Sequence, residues 1–143
     1  IKDDEKGATL NKASILEGVS QALPALDRAQ QIQKKVEKVG FDWEDAKSVL
    51  PKVEEELEEC RVEIEKNDKI ALEEEIGDLL FSVVCMARKA NINSEQALRK
   101  ANLKFTRRFQ MMEELATFEE LEKMTSEEME TLWQEVKLKL AKK

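Results

Sequence analysis

The sequence predicts an all-α protein, a helical bundle of about four to five helices, and three observations carry that expectation. Only four Gly and two Pro occur in 143 residues, while Glu, Lys, Leu and Ala are abundant, a composition that favours long helices over a turn-rich β-architecture. Apolar residues recur at three- and four-residue spacing through most of the chain, the period of one helix face. Turn and capping residues separate these periodic stretches. With 41% hydrophobic and 38% charged residues, one compact domain with a modest core is expected.

Residues 1 to about 20 hold no sustained apolar period and two of the four glycines, so they read as a linker or tail, leaving 21–143 as the helical domain. The start at Ile1 rather than Met is expected of a piece of a longer protein, although processing or numbering gives the same start. A first helix runs from Leu23 to Val39, with Leu26, Ala29, Ile32 or Gln33, and Val36 at helical spacing and Gly40 as its stop. The segment GFDWEDAKSV joins it to a second helix, whose first turn suits Pro51 and which continues to about Lys66. Asn67 and Asp68 are turn residues. The third helix, about Lys69 to Ala90, has the strongest apolar face.

Asn93 or Ser94 can cap a fourth helix carrying Leu98, Ala101, Phe105, Phe109 and Met112 on one face, with a basic opposite side. Thr125 and Glu128 have capping-box spacing; Ser126 and Met129 share the spacing without the acid. The last helix would then bury Met129, Leu132 or Trp133, Val136 and Leu140.

Charge and residue content narrow the function classes. A net charge of −7 lacks the basic surface that sequence-independent binding to nucleic acid requires, so nucleic acid is not an expected partner. No apolar run approaches the roughly 18 residues of a membrane span. Cys60 and Cys85 are the only cysteines, and reduced thiols in a cytoplasmic setting are expected. Histidine is absent, which removes Glu-x-x-His di-iron sites, zinc–histidine sites and Ser–His or Cys–His nucleophile pairs. Carboxylate chemistry remains.

Most Glu-x-x-Glu spacings in a chain with 31 acids are solvated helix faces, but two pairs here are matched. Glu56/Glu59 and Glu75/Asp78 are each three residues apart, hence on neighbouring turns of one face. Positions 56 and 78, like 59 and 75, are equidistant from position 67, so a hairpin folded there sets the pairs level. The apolar stripes are read as Val53, Leu57, Cys60 and Ile64 on one helix and Leu72, Ile76, Leu79, Val83 and Ala90 on the other. In each helix the acids lie about 60° and about 120° round from the stripe in the same sense, which brings all four to one side of the hairpin. Four converging carboxylates need a cation. An all-oxygen set selects Mg2+, with Mn2+ as an alternative, and such an ion leaves positions for water and phosphate. Lys104 and Arg108, at i, i+4 with Arg107 beside them, and Trp133 with Lys137 are candidates for phosphate and base, against the plainer roles of a basic surface run and a core Trp.

At these residues the chain resembles the MazG family of all-α nucleoside triphosphate pyrophosphohydrolases, specifically the C-terminal of two MazG domains. The resemblance runs from SQALPALDRAQQIQKKVEKVGFDW through KVEEELEEC and LEEEIGDLLFSVV to ALRKANLKFTRRFQMMEE and METLWQEVKLKLAKK. It implies hydrolysis of a nucleoside triphosphate to the monophosphate and pyrophosphate with Mg2+, in nucleotide-pool house-cleaning, by a homodimer that completes the bundle between subunits. It places the paired acidic motif on Glu56, Glu59, Glu75 and Asp78 and the basic segment on Asn102, Lys104, Arg107 and Arg108. The final Trp-x-x-x-Lys falls on Trp133 and Lys137. Where the pattern usually has Asn this chain has Cys85, on the face of Asp78 with Ser82 between, which bears on pocket recognition rather than on metal binding. Two alternatives stay open: a non-catalytic helical interaction or regulatory module, and a hydrolase of narrower substrate such as dUTP or a phosphoribosyl nucleotide.

Overall fold

A computed structural model describes residues 13–142, and among them it contains six α-helices and no strand. Of the expected linker or tail, residues 1–12 lie outside the described residues; residues 15–18 form a turn, and Val19 beyond them is buried. The chain divides into two compact units at Glu95 and Gln96, in the first turn of the fourth helix.

The first unit holds α1 (Ala25–Glu37), α2 (Ala46–Lys66) and α3 (Lys69–Lys89), with α3 packed against both of the others. α1 stops as expected before Gly40, whose φ of 91° turns the chain back so that the Phe41 amide donates to the Val36 carbonyl at 3.1 Å. α2 starts earlier than Pro51 predicts. Asp45 caps it, accepting from the Ser48 amide at 2.8 Å and the Ser48 hydroxyl at 2.7 Å, so the helix begins at Ala46. Pro51 therefore sits in the second turn, where it removes one backbone donor from the ladder. A local cap has outweighed the proline preference for a first helical position.

The turn between α2 and α3 is the one the sequence predicts. Asn67 takes the left-handed conformation (φ 56°), and the Asn67 and Asp68 amides donate to the Ile64 and Glu63 carbonyls, each at 3.1 Å. Asp68 in turn caps α3 by accepting from the Ala71 amide at 3.1 Å. The interior faces differ from the expected stripes. Val49, Glu56 and Cys60 are the buried residues of α2, and Ser82, Val84 and Cys85 those of α3. Leu57 and Ile64, at 58% exposure each, and Ile76 at 43% face solvent in this chain. The α2 interior is thus rotated by roughly 50° toward the acids relative to the predicted stripe.

The second unit holds α4 (Ser94–Leu115), α5 (Phe118–Lys123) and α6 (Ser126–Ala141). Its core is Met112, Ala116, Leu121 and the fully buried Val136, ringed by Met129, Trp133 and Leu140 among others. The Thr125–Glu128 capping box forms as expected, with bonds of 2.8 and 3.1 Å. An identical box, Thr117 with Glu120, starts the short α5, which the periodicity does not predict because six residues are too few to establish a period. On α4 only Met112 of the expected apolar face is buried; Leu98, Phe105 and Phe109 are at least 37% exposed.

Candidate functional site

The hairpin brings the four predicted acids together around one residue. Glu56, Glu75 and Asp78 have carboxylate oxygens within 4.8 Å of one another, and so do Glu55, Glu56 and Glu59. Glu56, 5% exposed, belongs to both groups. Glu55, which the spacing argument does not single out, joins the second group from an exposed position.

Such crowding has an electrostatic signature. A hydrogen bond to Glu59, then burial, then the charges of Glu59 and Asp78 push the Glu56 carboxyl up to about 7, against the pull of Lys52. Burial first, then the charges of Glu59 and Asp78, also raises Glu75. Without a cation the site holds a proton that an ordinary carboxyl loses well below neutrality. Lys52 lies 3.2 Å from Glu55 and 3.9 Å from Glu56, and the hydrogen bond to Glu55 is the main cause that raises its pKa. Its i, i+4 relation to Glu56 was available in the sequence as a signal.

Beside the acids lies a cavity of about 410 Å³ whose lining includes Glu56 and Asp78. Phe41 and Trp43 from the α1–α2 loop contribute aromatic surface to it, and Ser82 and Cys85 contribute from α3. Cys85 therefore shares the Asp78 side of α3, as its spacing predicts. Its thiol is buried, which raises its pKa despite the Arg88 guanidinium 3.6 Å away. The Ser82 hydroxyl donates to the Leu79 carbonyl at 2.8 Å.

The predicted basic residues belong to the second unit. Lys104, Arg107, Arg108 and Lys137 line a hollow of about 340 Å³ between α4 and α6. The Arg108 guanidinium stands 5.8 Å from the Trp133 ring centre, a cation–π distance, and Phe105 lies 5.2 Å from the same ring at a tilt of 41°. Trp133 also packs against the unit's core, so it takes the structural role weighed for it while keeping a charged neighbour. Asn102 is exposed and does not line the hollow.

The residues between these features carry a recognisable pattern. Residues 44–113, which include all four acids and the α4 basic run, match the model of the MazG nucleotide pyrophosphohydrolase domain. Over 139 residues the chain is 43% identical to the nucleoside triphosphate pyrophosphohydrolase/pyrophosphatase MazG of Thermotoga maritima, a match covering 96% of this chain and 52% of that one. Over 142 residues it is 44% identical to the nucleoside triphosphate pyrophosphohydrolase of Escherichia coli, covering 96% of this chain and 53% of the relative. The chain spans about half the length of these curated relatives. On the acidic hairpin, the domain match and the near end-to-end similarity together, the chain belongs to the MazG family.

Proposed function

We propose that the chain hydrolyses nucleoside triphosphates, ribo or deoxyribo, to the monophosphate and pyrophosphate with Mg2+, as a house-cleaning enzyme of the nucleotide pool. The observation that carries this reading is Glu56, a buried carboxyl pushed up to about 7 among Glu59, Glu75 and Asp78, whose charge only a proton or a cation can offset. The names of the relatives, nucleoside triphosphate pyrophosphohydrolases, support the same chemistry.

The donors fit a hard divalent ion: they are carboxylate oxygens only, in two groups of three that share Glu56, and no histidine exists in the chain. Glu56, Glu59, Glu75 and Asp78 are the residues that would hold Mg2+, with Mn2+ as a substitute. When bound, such an ion neutralises phosphate charge and polarises the phosphorus that is attacked. Glu56 or Glu59, as a carboxylate, orients the attacking water and accepts its proton. The water oxygen forms a bond to phosphorus as the α–β bridging bond breaks, and pyrophosphate leaves. Lys104, Arg107, Arg108 and Lys137 are assigned to phosphate oxygens on their charge, Trp133, packed in the core of its unit, to orienting Arg108, and Asn102 to an outer polar contact.

Assembly as a homodimer is part of the proposal. Leu57 and Ile76 each follow an acid directly, so they stand about 100° round from it, and with Ile64 and Leu80 they leave apolar surface on the hairpin away from the acids. A cytoplasmic location is part of the same proposal, on the expectation that a chain with only two cysteines keeps them reduced; among the described residues no helix is long and apolar enough to cross a membrane.

The test measures pyrophosphate release from a panel of NTPs and dNTPs with Mg2+, together with sedimentation of the purified chain. Glu59→Gln and Asp78→Asn should each abolish release while helical circular dichroism persists. Wild-type chain that binds Mg2+ without turning over any nucleotide would instead favour a non-catalytic module, and turnover of one nucleotide alone would mark a narrow-substrate hydrolase.

A further inference from the structure

The loop between α1 and α2 carries Phe41, 70% exposed, and Trp43, 37% exposed, both on the wall of the cavity that Glu56 and Asp78 also line. Exposed rings on a short loop need a tether to form a wall, and this loop has one. Between them, Asp42 gives one carboxylate oxygen to the Arg88 guanidinium at 2.8 Å and the other to the Lys89 ammonium at 2.7 Å. Both cations come from the last turn of α3. Arg88, whose side chain is only 7% exposed, also donates to Glu37 at 2.6 Å and to the Gln33 side chain at 3.1 Å, fixing the end of α1 to the same point. Two cations face two carboxylates, so the clasp is charge-balanced. Its burial opposes ionisation of Asp42, but the Arg88 and Lys89 hydrogen bonds win and lower its pKa to about 2.

We propose that Asp42, gripped by Arg88 and Lys89, is a positioning residue that sets Phe41 and Trp43 as the wall against which the planar base of the nucleotide lies, with its phosphates toward the acids. Within this chain the clasp ties three elements to one point: the end of α1, the loop and α3. The base wall is thereby built before substrate arrives, and the cost of ordering the loop is not charged against binding. The proposal rests on the hydrolase reading above, and it predicts an effect on base-bearing ligands alone.

The experiment compares wild type, Asp42→Asn and Asp42→Glu. For the best nucleotide of the panel, Asp42→Asn should raise KM about tenfold with kcat within twofold, and Asp42→Glu should restore most of it. By calorimetry with Mg2+, the nucleoside monophosphate should bind Asp42→Asn about tenfold more weakly, whereas inorganic pyrophosphate, which has no base, should bind all three alike. Equal weakening of both ligands, or a parallel loss of kcat, would make Asp42 a merely structural residue and overturn the proposal. If wild type itself releases no pyrophosphate, the hydrolase reading falls, and the clasp is judged on the Trp43 indole resonance, assigned with Trp43→Phe. Unchanged indole 15N relaxation in Asp42→Asn would then overturn it.

Discussion

Replacing Glu56 by Gln should make the metal-free protein more stable, although it removes the residue at the centre of the site. The carboxyl titrates near 4.5 in an unfolded chain and is pushed up to about 7 in the folded one. Below pH 4.5 it is protonated in both states and contributes no difference. Between the two values the unfolded chain releases a proton that the folded chain keeps, so stability falls as pH rises, and above 7 the loss is complete. At about 1.4 kcal/mol per unit the full loss is about 3 kcal/mol. Gln keeps the shape and a hydrogen bond to Glu59, and the attraction of Lys52, 3.9 Å away, is already contained in the net rise. A gain of about 3 kcal/mol is therefore expected at pH 8 in excess EDTA, shrinking to about 1 kcal/mol at pH 5. Urea denaturation followed by circular dichroism at both pH values reads this directly. Added Mg2+ should reverse the order, since only the wild type has the full ligand set to gain from binding. If Glu56→Gln showed no gain at pH 8, or the same gain at pH 5, the claim that these carboxylates strain one another would be wrong.

Three further outcomes follow from other parts of the chain. Asp42, lowered from 3.8 to about 2, contributes about 2 kcal/mol above pH 3.8 that is lost as pH falls through 2; in an acid titration Asp42→Asn should unfold earlier, the difference vanishing at the acid end. Asn67 sits at φ 56°, so Asn67→Ala should cost about 1 kcal/mol in thermal melts while Asn67→Gly costs little, a contrast absent if the turn is not left-handed. Val136→Ala opens a void in the core of the second unit, where Val136 is 0% exposed, and should cost about 2 kcal/mol by urea denaturation without removing Mg2+ binding by the hairpin acids.

Which features were legible in the sequence depended on how local their causes are. The Asn67–Asp68 turn and the Thr125 cap depend on residues within five positions of one another, and both form as read. The acidic cluster was legible despite its longer range because the tight turn converts equal sequence distances into spatial neighbours. The Asp42 clasp was not, since its partners lie 46 and 47 residues away and neither local periodicity nor charge spacing links a loop acid to one helix end. α5 has a usable signal in the Thr117–Glu120 capping box, but six residues are too few to show a helical period.

The misread stripe on α2 is of another kind, because every residue in it has the expected character and the error lies in what covers it. Leu57 and Ile64 are apolar at helical spacing, yet the hairpin turns inward the row that contains Glu56. Reading apolar residues as interior assumes that a chain's own interior is the only place to bury them. In the proposed homodimer Leu57, Ile64, Ile76 and Leu80 have a second destination, and α2 is free to aim its acids between the helices. The cost of burying Glu56 is then a property of the site rather than a defect of the fold, because the Mg2+ proposed for the chemistry is the cation that would offset it. A hairpin rotated to bury its own Leu57 and Ile64 would have a better apolar interior and its acids in water, where each would titrate normally and hold a divalent ion less tightly.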